Sequence, residues 1–194
     1  AASSKPAIRV PAAVLAKRTG AYRNQKTGAI WQVAIEDGKL VVDAGGRKFQ
    51  LVPTAANTFR AEGIPIAISL TFIPAPAGSR PRLKITVAGE AEPRLLDPID
   101  LWTPTANQLA EMAGNYPSEE LQTVFVLVLK DEKLFLCHRS TGEEFAPLQP
   151  TLEDSFTAQG ATITFSRDAN GKIDGFHLDS GRMKKIRFLK QALK

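Results

Sequence analysis

The sequence is poor in the groups that chemistry most often uses. It has one cysteine, Cys137, which excludes an internal disulfide and leaves the redox compartment unreadable from bridges. Cys137 lies in the apolar run KLFLCHR, where the expectation is a small, buried, inert thiol. There are two histidines, His138 and His177, and a metal site would have to assemble them with Cys137 or a distant carboxylate. Adjacent Cys137 and His138 would point to opposite faces of a strand. No apolar run approaches the roughly 20 residues of a membrane helix, because TVFVLVL and IPIAISLTFI stop at strand length. None of the nine serines has a lysine three residues on, and G-x-S-x-G is absent, so no serine acyl-transfer nucleophile is in view. No glycine-rich phosphate cradle opens a long helix. DANGKID (168–174) lacks the sixth-position glycine and distant glutamate of a calcium loop, and a hairpin turn accounts for it. The expectation is therefore no catalytic residue, no cofactor and no metal. The opening AASSKPAIRVP has neither the charged start nor the apolar middle of a signal peptide, and is expected to be a short solvated tail.

What is present suits folding. Hydrophobic residues make up 43% and charged residues 23%, the balance of a globular chain that can fill one domain or two small ones. The net charge of +5 raises a nucleic-acid partner, but Lys and Arg are spread along both halves. The one cluster, GRMKKIRFLKQALK, alternates with Met183, Ile186, Phe188 and Leu189, as a half-buried terminal strand with a solvated basic face would. No nucleic-acid partner and no membrane span are expected.

The most informative feature is an internal repeat. LAKRTGAY (15–22) matches LAEMAGNY (109–116), 94 residues on, which pairs Gly20 with Gly114 and Tyr22 with Tyr116. EDGKLVV (36–42) falls on KDEKLFL (130–136) at the same spacing. LVPTAANTFRAEG (51–63) then meets LQPTLEDSFTAQG (148–160), which pairs Phe59 with Phe156 at a spacing of 97. Matches in one order with slowly drifting offsets mark a duplicated module with small loop changes.

Each copy predicts a short helix with Pro11 or Pro104 at its first position and Gly20 or Gly114 past its end. About eight strand-length apolar runs follow, broken by turn pairs such as Asp37-Gly38, Gly45-Gly46, Asn170-Gly171 and Ser180-Gly181. The expected fold class is all-β: two tandem eight-stranded antiparallel barrels, each preceded by a short helix, over 8–97 and 98–194. Closure is favoured because it removes exposed strand edges. DPIDLWTPT (97–105) serves as connector, with Ile99, Leu101 and Trp102 as the expected interface residues. Trp31, Phe49, Phe59, Phe72, Phe125, Phe135, Phe156, Phe165 and Phe176 are expected to point inward and fill the interiors.

Two triplets test that reading. Tyr22-Arg23-Asn24 fits Y-x-N and Lys26-Thr27-Gly28 is K-T-G, both companions of the S-x-x-K nucleophile in penicillin-recognising enzymes. A single residue separates them, whereas acyl-transfer geometry needs them on separate elements converging on a serine. After Tyr116 the second copy reads PSEELQT, without K-T-G. Tyr22 and Tyr116 are therefore expected to be structural plugs at one end of their barrels.

The second copy, with L-A-x-x-x-G-x-Y, the D-x-K-L hairpin, P-x-x-x-D-x-F and F-x-R-D-x-x-G-x-I-x-G-F, resembles the lipocalin-like C-terminal β-barrel modules of bacterial β-lactamase-related, penicillin-binding-protein-like serine hydrolases of the D-aminopeptidase and esterase type. The first copy departs from the pattern, with FIPAPAGSRPRLKI in place of the F-x-R-D stretch. The resemblance implies a non-catalytic accessory region that packs on a catalytic serine hydrolase domain in cis, outside this chain, and shapes access to its cleft. It also implies a periplasmic or extracellular setting. The alternative is a free-standing lipocalin-like binder of a small apolar ligand, since an eight-stranded barrel can hold one small molecule.

Overall fold

The computed structural model describes residues 8–191. The protein is all-β and divides into two compact units after Asp100. The boundary expected between Asp97 and Pro98 falls inside a strand, because Pro98 and Ile99 pair with Tyr22 and Ala21.

The first unit runs α1 (Ala12–Ala16), β1 (Gly20–Arg23), β2 (Ile30–Glu36), β3 (Lys39–Ala44), β4 (Lys48–Pro53), β5 (Thr58–Ala61), β6 (Ile68–Ile73), β7 (Arg82–Val87) and β8 (Arg94–Ile99). Its eight antiparallel strands follow chain order and close into a barrel when β8 pairs with β1. The turns are chemical in origin. Asp37 and Gly38 both take positive φ (49° and 75°), as a two-residue primed hairpin turn demands. Tyr22, Phe59, Phe72, Leu70, Leu83 and Ile85 fill the interior at 1% exposure or less.

The second unit runs α2 (Ala106–Met112), β9 (Gly114–Ser118), β10 (Thr123–Lys130), β11 (Lys133–His138), β12 (Glu144–Pro147), β13 (Gln149–Pro150), β14 (Ser155–Ala158), β15 (Ala161–Arg167), β16 (Ile173–Ser180) and β17 (Met183–Leu189). Its α2 starts two residues later than expected, at Ala106: Thr105 is the cap and exchanges hydrogen bonds with Gln108, leaving Pro104 outside. The nine strands form a four-stranded sheet, β12-β11-β10-β9, and a five-stranded sheet, β13 through β17, around one core of Tyr116, Phe156, Phe165, Phe176 and Phe188.

The ladder is therefore not the continuous ring expected for this copy, and prolines explain both gaps. β4 of the first unit is unbroken, pairing with β3 through Gln50 and with β5 from Leu51. At the repeat spacing of 97, Gln50 becomes Pro147, which has no N–H to donate, and the strand splits into β12 and β13 around Leu148. At the other gap, β1 pairs with β8 through Ala21, Tyr22 and Arg23, whereas among the described residues its counterpart β9 meets the chain after β17 at one bridge, Asn115 to Gln191. Pro117 stands there where the first copy has Arg23.

Most of the expected inward rings are inward; Phe135 is not. In β11, Leu134 and Leu136 are the buried residues, so Phe135 faces outward under the Lys130 ammonium, 5.8 Å from the ring centroid. Cys137 shares that face and is half-buried rather than buried, a correction to the expected core thiol. Burial still raises its pKa, with Glu144 adding to the effect, so little thiolate forms. Phe188, in the basic terminal run, is fully buried and stacks on Phe176 at 4.6 Å.

One difference between the copies has a measurable consequence. Arg18 of the first unit occupies the position of Met112, 94 residues on, and is 4% exposed. Its guanidinium lies 5.2 Å from the centroids of both Phe59 and Phe72, and donates to the Ala56 carbonyl (2.8 Å) and Asn57 Oδ1 (2.7 Å). Its Nη1 is buried without a partner. Desolvation lowers its pKa, and no carboxylate among the described residues pairs with the buried charge. Ala56 is exposed and Asn57 half-buried, so water can replace Arg18 at both acceptors. Arg18→Met, which installs the residue of the second copy, is expected to stabilise the first unit by about 1 kcal/mol or more, the usual sign when a buried charge gives way to a packed apolar side chain. Urea unfolding followed by fluorescence checks this; a loss of stability would show that the stacked guanidinium outweighs its desolvation.

Candidate functional site

The two triplets that raise an acyl-transfer site form one turn. Asn24 is buried at the end of β1, and its Oδ1 accepts from the backbone N–H groups of Lys26 (2.9 Å) and Thr27 (3.0 Å). Gly28 N–H returns to the Asn24 carbonyl at 2.8 Å, with φ +73°, where glycine is unstrained. The K-T-G sequence is thus what an Asx-organised loop between β1 and β2 requires. A cleft of about 400 Å³ lies beside it, lined among others by Lys26, Thr27, Trp31, Arg82, Arg94 and Asp97, with no serine in its wall. Asn24→Ala is expected to cost about 1–2 kcal/mol, since it orphans two amides. Lys26→Ala should stay within about 0.5 kcal/mol because the side chain is exposed. Paired urea melts of the two variants check the contrast.

The repeated site residues come together as two copies of one lock. The Tyr22 hydroxyl donates to the Arg18 carbonyl at 2.7 Å, and the Tyr116 hydroxyl donates to the Met112 carbonyl at 2.7 Å. Both rings are fully buried, and both hydroxyls satisfy a carbonyl four residues back, near the end of the preceding helix. Gly20 (φ +118°) and Gly114 (φ +147°) start the strands in conformations that disfavour a side chain. A basic side chain crosses each: Arg80 covers Gly20, and Lys190 lies 3.2 Å from where a Gly114 Cβ would sit. Phe59 and Phe156 are each 1% exposed; Phe59 packs edge-on to Phe72 and Phe156 edge-on to Phe165.

Of the three expected interface residues, Ile99 and Trp102 are engaged within their own units. Ile99 completes β8 opposite Ala21. The Trp102 ring packs edge-on against Phe156 at 5.8 Å, and its backbone N–H donates to the Thr151 carbonyl, so it belongs to the second unit's own core. Leu101 remains exposed.

Two features escaped sequence reasoning. His138, at the end of β11, contacts the Thr123 hydroxyl through Nε2 and the Ser140 hydroxyl through Nδ1, each at 2.9 Å. Together they line a cleft of about 740 Å³ with Pro117, Ser118 and Arg139. A hydroxyl on an imidazole nitrogen is a proton-transfer geometry, but here Ser140 and His138 share one hairpin, where Gly142 N–H closes on the His138 carbonyl. No group of three or more metal-ligating side chains occurs among the described residues.

The second feature is an apolar cleft of about 480 Å³ on the first unit. Trp31 of β2 and Phe49 of β4, edge to face at 6.1 Å, sit in its wall with Ile64, Pro65, Ile66 and Ile68 from the start of β6 and the loop before it. Ile66 is 52% exposed, the highest among the large apolar side chains described as exposed. The cleft could have been suspected from Ile64-Pro65-Ile66, an apolar loop where turn residues are usual. The interior itself is filled, and the room lies beside Trp31 and Phe49. Among the described residues no helix is long and apolar enough to cross a membrane. Compared with known proteins, the chain matches no family model and no curated protein.

Proposed function

We propose that the chain is a non-catalytic accessory region of two tandem β-barrel modules, working through its outer surface beside a serine hydrolase domain encoded in cis. The observation that carries this reading is the repeated lock. Both copies spend their one tyrosine on a carbonyl at or just past the helix end, which holds the module shut, and both cores are built of side chains exposed 8% or less. The reading of the second copy as a barrel is supported by the Asn115–Gln191 bridge and by one core shared between its sheets. The experiment has two arms. The coding sequence 5′ of Ala1 is expected to carry an in-frame S-x-x-K domain, and a stop codon directly upstream would overturn the accessory role. The purified chain is expected to take no label from a fluorophosphonate probe, and a labelled serine, Ser140 above all, would overturn the non-catalytic one.

A second reading, a binder of a small apolar ligand, is favoured by the cleft beside Trp31 and Phe49. Its volume lies within the range of ligand pockets and its wall is apolar.

A further inference from the structure

We propose that this cleft binds an amphiphilic carboxylate, its chain against Trp31, Phe49, Ile64 and Ile66 and its head group on Arg47. The proposal rests on the second reading above and adds the chemistry of the ligand. Charge complementarity selects the head group. Two cations line the cleft, Arg47 and Lys48, at the turn between β3 and β4. Lys48 is already engaged, since its Nζ lies 2.9 Å from Glu36 Oε1 and that hydrogen bond raises its pKa. Arg47 is exposed and makes no ion pair among the described residues, although ion pairs serve Arg60, Arg80, Arg82 and Arg94 of the same unit.

A guanidinium without a carboxylate, beside an apolar wall, presents a planar fork of donors that matches a carboxylate. The wall itself supplies the affinity. Ile66 stays more than half exposed, and covering it together with the Trp31–Phe49 pair removes apolar surface from water. Gly45 and Gly46, with φ +69° and +90°, turn the chain tightly just before Arg47 and bring that cation to the rim. The ligand does not enter the barrel, where Phe59, Phe72 and Leu70 already fill the space. It lies between the β3–β4 turn and the loop before β6.

The probes are decanoate and its uncharged counterpart, decanol, titrated by calorimetry and by two-dimensional NMR. The chain has two tryptophans, so two indole N–H signals are expected, and Trp31→Phe assigns them. Decanoate is expected to shift the Trp31 indole signal and leave that of Trp102 in place, and to bind about tenfold more tightly than decanol. Arg47→Ala should remove that tenfold preference without changing decanol binding. Ile66→Asp should abolish binding of both. Arg47 and Ile66 are exposed, so both variants are expected to fold, which their spectra report directly. Equal affinity for the two probes, or an Arg47→Ala variant that keeps the preference, would overturn the head-group assignment while leaving an apolar site. No shift of the Trp31 signal with either probe would overturn both.

Discussion

Tyr116→Ala is expected to destabilise the protein by about 3–5 kcal/mol, and Tyr22→Ala by a similar amount, the scale for truncating a fully buried aromatic side chain. Two losses combine at each site. The ring leaves a void: Tyr116 sits 4.9 Å from Phe176 and 6.2 Å from Phe165, and Tyr22 sits 6.1 Å from Phe72. The partner carbonyl, of Met112 or Arg18, loses its donor. Tyr→Phe separates these contributions, because it removes the hydrogen bond and keeps the ring, and should cost about 1–2 kcal/mol. The buried hydroxyls also make the wild-type protein sensitive to high pH. Burial pushes the Tyr22 hydroxyl up to about 12 from 10, with Arg80 and Arg18 pulling the other way. Burial raises Tyr116 as well, and Glu111 adds to it. A folded-state pKa above the unfolded one stabilises fully below pH 10 and is lost as pH rises through the folded value. Stability should therefore fall between pH 10 and 12 by about 1.4 kcal/mol per pH unit for each tyrosine, and Tyr→Phe should remove that slope in its own copy. Urea melts at stepped pH, with Trp31 reporting the first unit and Trp102 the second, check all three. A silent Tyr→Ala variant would mean that the position is no lock.

Gly175→Ala is the second large effect, expected to cost about 2–3 kcal/mol in the second unit. Gly175 lies in β16, opposite Leu189 of β17 and Ser166 of β15, where a bulge shifts the register. A Cβ there would collide with the backbone carbonyl of Phe188, so relief requires β17 itself to move, and Phe188 is the residue stacked on Phe176. Gly171→Ala is the informative comparison. Its φ is +77° with open space around it, so only backbone strain of about 1 kcal/mol opposes the substitution. Equal costs at the two glycines, measured by urea unfolding, would contradict the close approach of β17.

These sites also show where the fold is legible in sequence. The tyrosine lock was visible because duplication keeps spacing: two tyrosines 94 residues apart, each two after a glycine, have the same job. The Asp37-Gly38 turn was visible because positive φ at two successive residues has a narrow chemistry. Gly175 was visible as part of a motif, but its reason lies in β17, which no local pattern contains. Strand parity failed where every residue is apolar. In KLFLCH both faces look buried, and size favours Phe135 inward, yet the leucines take the interior. In β17 Ile186 and Phe188 face the core as the half-buried reading implies, but Lys185 at φ +56° breaks the alternation, and Met183 and Leu189 stay exposed. Of the candidate site, Trp31 and Phe49 were legible as inward rings. The cleft beside them was not, since it depends on where the loop before β6 stops short of covering them.

The two prolines that interrupt the second unit govern how that unit breathes. In the first, every strand of the ring has a hydrogen-bonded neighbour on both sides, so an amide of β6 or β7 reaches solvent only when much of the ring opens at once. In the second, the gaps at Pro147 and beside Pro117 let β12 or the end of β17 lift away at the cost of one neighbour's bonds. Amide hydrogen exchange should therefore reach the global unfolding limit throughout the first ring, but in the second unit only at strands such as β15, which has a partner on each side. The Leu148 N–H donates to Leu134 of β11, so the N–H restored by Pro147→Gln, the residue of the first copy, faces β14 and should slow exchange at β12 and β14 before it changes anything a melting curve can see.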